Sequence, residues 1–364
     1  LKAPNVQLIN PILDMDRDNN TFDNLSGTQA IISNYGKGFN CKVTGGKLIN
    51  GIDNFFQGGR TGLIFDGTVF ENCGEHAFYV NGIDPDGNYG DLTFRNLDIK
   101  NVALDASHSE GHCFQFRNSK NITVENVNFD ANNPAIPSFC FLIDLVTNLK
   151  VTNFKGKNFT HRFAWANKGS EDIYFDRINL DNSGIAYKGV SNFAIDSSIK
   201  NCSITNSVFK KCLITGKIPR LFDNCKMIDL WGEVSNSHHV TIRNSSINSL
   251  GQSRVLRLNS SALIDNVEIT GTPKSVGIYI HPSATESVTI TNCKIDVAVS
   301  NPILADSGTD HIITNNEILT STGVKKIRLS SNVNGVSVIT GNNVKQNPRA
   351  IEDLTKKAII RNNQ

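Results

Sequence analysis

The sequence predicts an all-β solenoid, a right-handed parallel β-helix, on three observations. One hexapeptide pattern recurs along the chain, its third position forms a column of Asn and Gly, and the composition is rich in Asn, Ser, Thr and Ile but poor in Trp and Met. That composition favours strands and turns over helices.

The repeat reads apolar, any, Asn, any, any, apolar. Its clear copies are Phe94-Arg-Asn96-Leu-Asp-Ile99, Val124-Glu-Asn126-Val-Asn-Phe129, Ile204-Thr-Asn206-Ser-Val-Phe209, Ile242-Arg-Asn244-Ser-Ser-Ile247, Ile264-Asp-Asn266-Val-Glu-Ile269, Ile290-Thr-Asn292-Cys-Lys-Ile295 and Ile313-Thr-Asn315-Asn-Glu-Ile318. Weaker copies put Asn10, Gly45, Gly67, Asn153, Arg177, Asn224 and Gly341 in the same column. The fourteen copies lie 18 to 35 residues apart, which predicts one coil per repeat, some 13–14 coils, with loops of unequal size. Residues before the column alternate as in a strand, and the column itself marks a bend, because Asn and Gly tolerate left-handed backbone angles. Stacked Asn amides can then hydrogen-bond down the column, and Arg177 should interrupt that ladder.

A second apolar strand follows in most coils: Phe78-Tyr-Val80, Phe114-Gln-Phe116, Phe141-Leu-Ile143, Phe163-Ala-Trp165, Leu256-Arg-Leu258 and Ile278-Tyr-Ile280. Alternation predicts the flanking residues inside and Tyr79, Gln115, Leu142, Ala164, Arg257 and Tyr279 outside. A leucine-rich repeat is rejected, since the leucine signature and any helical period are missing.

The 364 residues would suggest two domains at ~150 residues each. The uninterrupted repeat instead predicts a single domain over 1–364. A hydrophobic share of 39 % and a charged share of 19 % indicate a globular chain. A net charge of +2 gives no electrostatic case for a nucleic-acid or acidic-membrane partner. No apolar run reaches the ~18 residues of a membrane span, and no signal peptide is visible. Because it begins at Leu1, the sequence reads as a piece of a longer product. The eight cysteines, Cys41, Cys73, Cys113, Cys140, Cys202, Cys212, Cys225 and Cys293, form no CxxC, and most sit in strand-like runs. They read as packed thiols made in a reducing cytosol.

With Gly74-Glu-His76-Ala-Phe-Tyr-Val-Asn-Gly82 and Glu110-Gly-His112-Cys-Phe-Gln-Phe116 added to the Asn column, nearly the whole chain resembles the pectate-lyase-like β-helix superfamily. The two segments are similar to those of phage tailspikes and of bacterial polysaccharide lyases, hydrolases and epimerases. The resemblance implies a polysaccharide substrate, a depolymerase or tailspike body, a homotrimer, and a virion-tail or extracellular location. It implies no cofactor.

Generic nucleotide, zinc-protease and serine-hydrolase motifs are missing, so chemistry must come from side chains of neighbouring coils. The longest intervals mark loops after Gly67, Asn96, Asn126 and Arg177. The segment Asp105-Ala-Ser-His108-Ser-Glu110-Gly-His112 is the densest titratable cluster, and the preceding coil adds Glu75 and His76. Glycoside hydrolysis needs one carboxylic acid to protonate the leaving oxygen and a second carboxylate as nucleophile or base. Asp105, Glu110 and Glu75 are the candidates, with His108 tuning a pKa or moving protons. Tyr79, Gln115, Arg162, Lys168, Arg257 and Tyr279 are the candidate substrate-binding residues. Arg162, Lys168, Lys188, Arg254 and Arg257 could hold uronate carboxylates or serve a lyase. Tyr79, Tyr89, Tyr187, Trp231 and Tyr279 could stack on sugar rings.

His76, His112 and His161 precede Phe78, Phe114 and Phe163 by two residues, with Phe139 in that place between them. This predicts a stacking ladder rather than a zinc site, whose ligands must converge on one point. Asp84-Pro-Asp86-Gly reads as a turn. Hydrolysis of a polysaccharide is the preferred function. A uronate lyase or epimerase and a non-catalytic glycan-binding adhesin or structural spike stand as alternatives.

Overall fold

The computed structural model describes residues 4–15, 30–34, 40–59, 61–82, 90–104, 109–132, 135, 137–181, 191–250, 252–319, 325–344 and 350–363. Among these, every regular element is a β-strand and every strand pairing is parallel. The fold is a right-handed parallel β-helix, and its chain divides into two compact units, 1–202 and 203–364.

In the first unit the strands Gly90–Lys100, Gly111–Asp130 and Ser138–Lys157 pair in register, with Phe94, Val124 and Val151 stacked, as are Ile99, Phe129 and Gly156. The long strands turn corners where a residue adopts left-handed angles, at Asn118, Asn121 and Asn126 in one coil and at Leu145, Asn148 and Asn153 in the next. Asn10, Gly45, Gly67, Asn96, Asn126, Asn153 and Arg177 all have φ between 48° and 74°. Asn126 donates to Asn96 at 3.1 Å and Asn153 to Asn126 at 2.8 Å, forming the amide ladder. Gly45 stands in the column for a second reason besides its angles: a Cβ there would collide with the Asn10 side-chain oxygen. Below Asn96 the ladder passes to Asp66, one residue before Gly67, which accepts at 2.9 Å. Arg177 turns to Asp176 instead.

Further ladders were not anticipated. Asn72 donates to Asn50, Asn101 to Asn72 and Asn132 to Asn101, all at 2.8–3.1 Å and all from left-handed residues.

In the second unit Asn206, Asn224, Asn244, Asn266, Asn292, Asn315 and Gly341 have φ between 52° and 67°. Asp223 and Asp265 take up rungs of this ladder as acceptors from Asn244 and Asn292. One residue further on, a ladder joins the buried Asn316 and Asn342 to the half-buried Asn363. A separate six-stranded sheet comprises Val234–Asn236, Arg254–Leu258, Val276–Ile280, Asn301–Ala305, Ile327–Leu329 and Ile351–Asp353.

The core of the first unit is a stack of phenylalanines. Register aligns Phe56, Phe78, Phe114 and Phe141, and the rings of Phe78, Phe114 and Phe141 lie near parallel at 5.0 and 5.3 Å. All eight cysteines are buried thiols outside any disulfide.

The strand at Ala164–Ala166 corrects the sequence reading by one residue. Ala164 aligns with Phe141 and Trp165 with Leu142, so Ala164 is the buried residue and Trp165 takes the outward position. Phe163 is also buried, because it enters the core ahead of the strand and packs on Phe141, Phe154 and Phe175. A one-residue slip exchanges the two faces of a strand.

Candidate active site

The site builds from the edge of the second apolar strand in successive coils of the first unit. His76, His112, Phe139 and His161 form the expected ladder, with ring centroids 4.8, 4.8 and 4.2 Å apart. Gly111 permits the close approach, since a Cβ there would collide with the Glu75 carbonyl oxygen and with Ala103. His112 donates its backbone N–H to His76 Nδ1 at 3.1 Å, and the two Nδ1 atoms lie 3.3 Å apart.

Each of the first two histidines has a glutamate beside it. Glu75 Oε1 is 3.4 Å from His76 Nε2, and Glu110 Oε1 is 3.7 Å from His112 Nε2. Tyr79 stacks on His76 with an interplanar angle of 6°. With its amide oxygen turned to Arg117, Gln115 accepts from Arg117 Nη2 and Nε at 3.0 and 2.9 Å, and its nitrogen lies 2.8 Å from His76 Nε2. A neutral imidazole has one lone pair, so His76 accepts from either Gln115 or the His112 backbone in a given tautomer.

Burial dominates the electrostatics. It lowers the His112 pKa to about 3, with Arg117 and His161 adding to the effect. It lowers His161 to about 4, helped by Arg162. The same desolvation raises the Glu110 carboxyl above its ordinary value, with Arg117 opposing. His112 thus stays neutral beside Glu110, a carboxyl that is easier to protonate than an ordinary glutamate.

These shifts predict acid sensitivity. A histidine whose folded pKa lies below its unfolded ~6.5 contributes stability that is complete above about pH 6.5 and is lost as pH falls towards the folded value. Glu110 acts in the opposite sense, but over a lower range that starts near the ordinary carboxylate pKa. The urea midpoint is expected to be flat from pH 8 to 7 and to fall progressively between pH 6.5 and 5. A midpoint unchanged down to pH 5 would contradict neutral burial of His112 and His161.

Among the sequence-predicted residues, Glu75, Tyr79, Glu110 and Gln115 come together. Arg162 lies along the same ladder, its guanidinium 5.4 Å from the Trp165 ring centroid, and Lys168 is exposed in the turn after Ala166. Asp105 and His108 lie outside the described residues, as do Asp84, Asp86, Tyr89, Tyr187 and Lys188. Gln115 and Tyr279 correct the expectation of outward exposure, being only 3 % and 8 % exposed. Leu142 and Ala164 are buried as well. Neighbouring side chains cover Gln115, Leu142 and Tyr279, which alternation alone does not register, whereas Ala164 faces inward through the one-residue slip. Arg117 was missed, although it follows Gln115 at strand spacing.

Arg257 and Tyr279 belong to a different cluster, in the second unit. Arg254 Nη1 and Arg257 Nη1 each lie 3.4 Å from a Glu233 oxygen, and Arg257 Nε donates to Asn259 at 2.8 Å. The Arg254 guanidinium sits 4.2 Å from the Tyr279 ring centroid, while the Tyr279 hydroxyl donates to Asp306 at 2.8 Å. Desolvation and that bond to Asp306 raise the Tyr279 pKa, so the phenol holds its proton. Among the described residues no three His, Cys, Asp or Glu side chains converge to hold a metal ion. Among the described residues no helix is long and apolar enough to cross a membrane.

Fold and site together define a parallel β-helix protein with a carboxylate–histidine edge. No protein-family model and no curated protein sequence matches the chain. Among solved structures it is similar to the A-module of the mannuronan C-5 epimerase AlgE4 of Azotobacter vinelandii, at 11 % identity and a TM-score of 0.44, over 89 % of this chain and 86 % of that one. The AlgE6 A-module of the same organism gives 12 % identity and 0.44, over 89 % and 90 %. PfbA, a surface adhesin of Streptococcus pneumoniae, gives 12 % identity and 0.48, over 84 % and 83 %.

Proposed function

We propose that the first unit binds a polysaccharide along its outward strand edge and hydrolyses it, with Glu110 as general acid. The observation that carries this is the pair of glutamates on successive coils, each beside a buried histidine, with desolvation raising the pKa of Glu110. Glu110 gives that proton to the leaving glycosidic oxygen as the anomeric C–O bond breaks. Glu75 either takes a proton from the attacking water or attacks the anomeric carbon itself, to be released by water in a second step. Tyr79 offers a ring face for a sugar. The extracellular or virion-borne homotrimer that the resemblance implies belongs to the same proposal.

A second reading, a uronate lyase or epimerase, is favoured by the Arg254–Arg257–Tyr279 cluster in the second unit. There cations could neutralise a sugar carboxylate while a group beside them removes the neighbouring proton.

The test is size-exclusion chromatography of bacterial capsules and uronate polymers after incubation with the protein, with reducing ends, ultraviolet absorbance and uronate composition read on the same samples. Shortened polymer with new reducing ends and no absorbance supports the hydrolase. Absorbance from unsaturated ends selects the lyase and overturns Glu110 as acid to a leaving group. Bound polymer that is neither shortened nor changed in uronate composition selects the adhesin, and unshortened polymer with a changed composition selects the epimerase.

A further inference from the structure

Trp165 and Arg162 stand apart from the carboxylate pair and have no role in the chemistry above. Register places Tyr79, Gln115, Leu142 and Trp165 in one column on consecutive coils. At ~4.8 Å per coil, Trp165 lies about 14 Å along the column from Tyr79. That is the reach of a short oligosaccharide, with an aromatic face at each end and the covered side chains of Gln115 and Leu142 between them.

Several arginines beside strands have a carboxylate partner, which Arg162 lacks among the described residues. Arg95 pairs with Asp66, Arg243 with Asp223, and Arg254 and Arg257 share Glu233. Arg162 is partly buried, burial lowers its pKa, and its Nε is enclosed without a hydrogen-bond partner. Among the described residues its charge meets the Trp165 ring and no carboxylate. A desolvated cation is costly unless an anion joins it. Stacking on an indole holds the planar guanidinium and leaves its edge for a two-point hydrogen bond, the geometry that suits a carboxylate.

Resting on the reading of this edge as a glycan site, we infer that Arg162 and Trp165 form a subsite for a carboxylate-bearing sugar, distal to the carboxylate pair. The substrate is therefore an acidic polysaccharide. Arg162 reads the carboxylate and Trp165 carries the ring face of the same sugar.

The test is calorimetric binding of polygalacturonate, polymannuronate and hyaluronate, each against its carboxyl-reduced counterpart, in a Glu110→Gln background that spares the polymer. At least one acidic polymer is expected to bind about tenfold or more tighter than its reduced form, the scale of a charge-assisted hydrogen bond. Arg162→Gln abolishes that preference with less than a twofold change for the reduced polymer. Arg162→Lys restores only part of it. Trp165→Leu, which repeats the residue of the preceding coil, weakens acidic and reduced forms alike. Equal binding of both forms, no binding of any acidic polymer, or a preference that survives Arg162→Gln overturns the subsite. A matching preference for dextran sulfate over dextran, lost with Arg162, overturns the carboxylate assignment in favour of any anionic sugar. Failure of hydrolysis with the acid preference intact removes the hydrolase and leaves the subsite. Hydrolysis without the preference does the reverse.

Discussion

Glu110→Gln is expected to lower the rate of polymer shortening by about 10²- to 10⁴-fold, the usual contribution of a positioned general acid. Glutamine keeps the shape of the side chain but has no proton to give to a leaving oxygen. Folding should survive the change, because the raised pKa means that burial already penalises the charged carboxylate. The urea midpoint at pH 7 should therefore stay level or rise. Glu268→Gln, in an exposed pair with Lys294, is the control and should leave the rate within twofold of the parent. The same assay on Glu75→Gln and Asp105→Asn identifies the partner carboxylate, as the one whose loss matches that of Glu110. Parental rates in Glu110→Gln would move the chemistry away from this edge. Parental rates in Glu75→Gln, with Asp105→Asn inactive, would keep Glu110 and replace its partner.

The turn column was legible because it rests on a backbone requirement that few residues meet. All fourteen positions named from the repeat adopt left-handed angles, Arg177 included. The histidine ladder was legible for a related reason: in stacked coils, equal offsets from a core residue become neighbours in space. What escaped depends on contacts between coils. Nothing local distinguishes Gln115, covered and tied to Arg117, from an exposed strand residue of the same parity. Nor does alternation reveal that Phe163 enters the core before the strand begins, which moves Trp165 to the outward face. Asp66, Asp223 and Asp265 serve as rungs of the Asn ladder, although the hexapeptide pattern counts them as unspecified neighbours. The carboxylate–histidine pairs were half legible. Their residue types and spacing pointed to Glu75 and Glu110, while the desolvation that raises the Glu110 pKa is a property of the packed coils.

Phe114→Ala is expected to cost about 3–5 kcal/mol, the range for truncating a fully buried phenylalanine. Phe114 is 0 % exposed and stacks on Phe78 on one side and Phe141 on the other, with Phe94 and Phe116 at 5.4 and 5.5 Å. In a solenoid, stability is close to a sum of coil terms and nearest-neighbour interfaces, so one truncation weakens the interfaces on both sides of its coil. The chain has two tryptophans, and each unit holds one, Trp165 in the first and Trp231 in the second. Urea unfolding followed by fluorescence in Trp231→Phe reports the first unit, and in Trp165→Phe the second. Phe114→Ala should lower the midpoint seen by Trp165 by the full amount. If the Trp231 midpoint falls with it, the two units unfold as one cooperative body. If it stays, they unfold separately, and the loss belongs to the first unit. A shift below about 1 kcal/mol at Trp165 would mean that the coils close around the missing ring, and that the phenylalanine stack is not what holds them together.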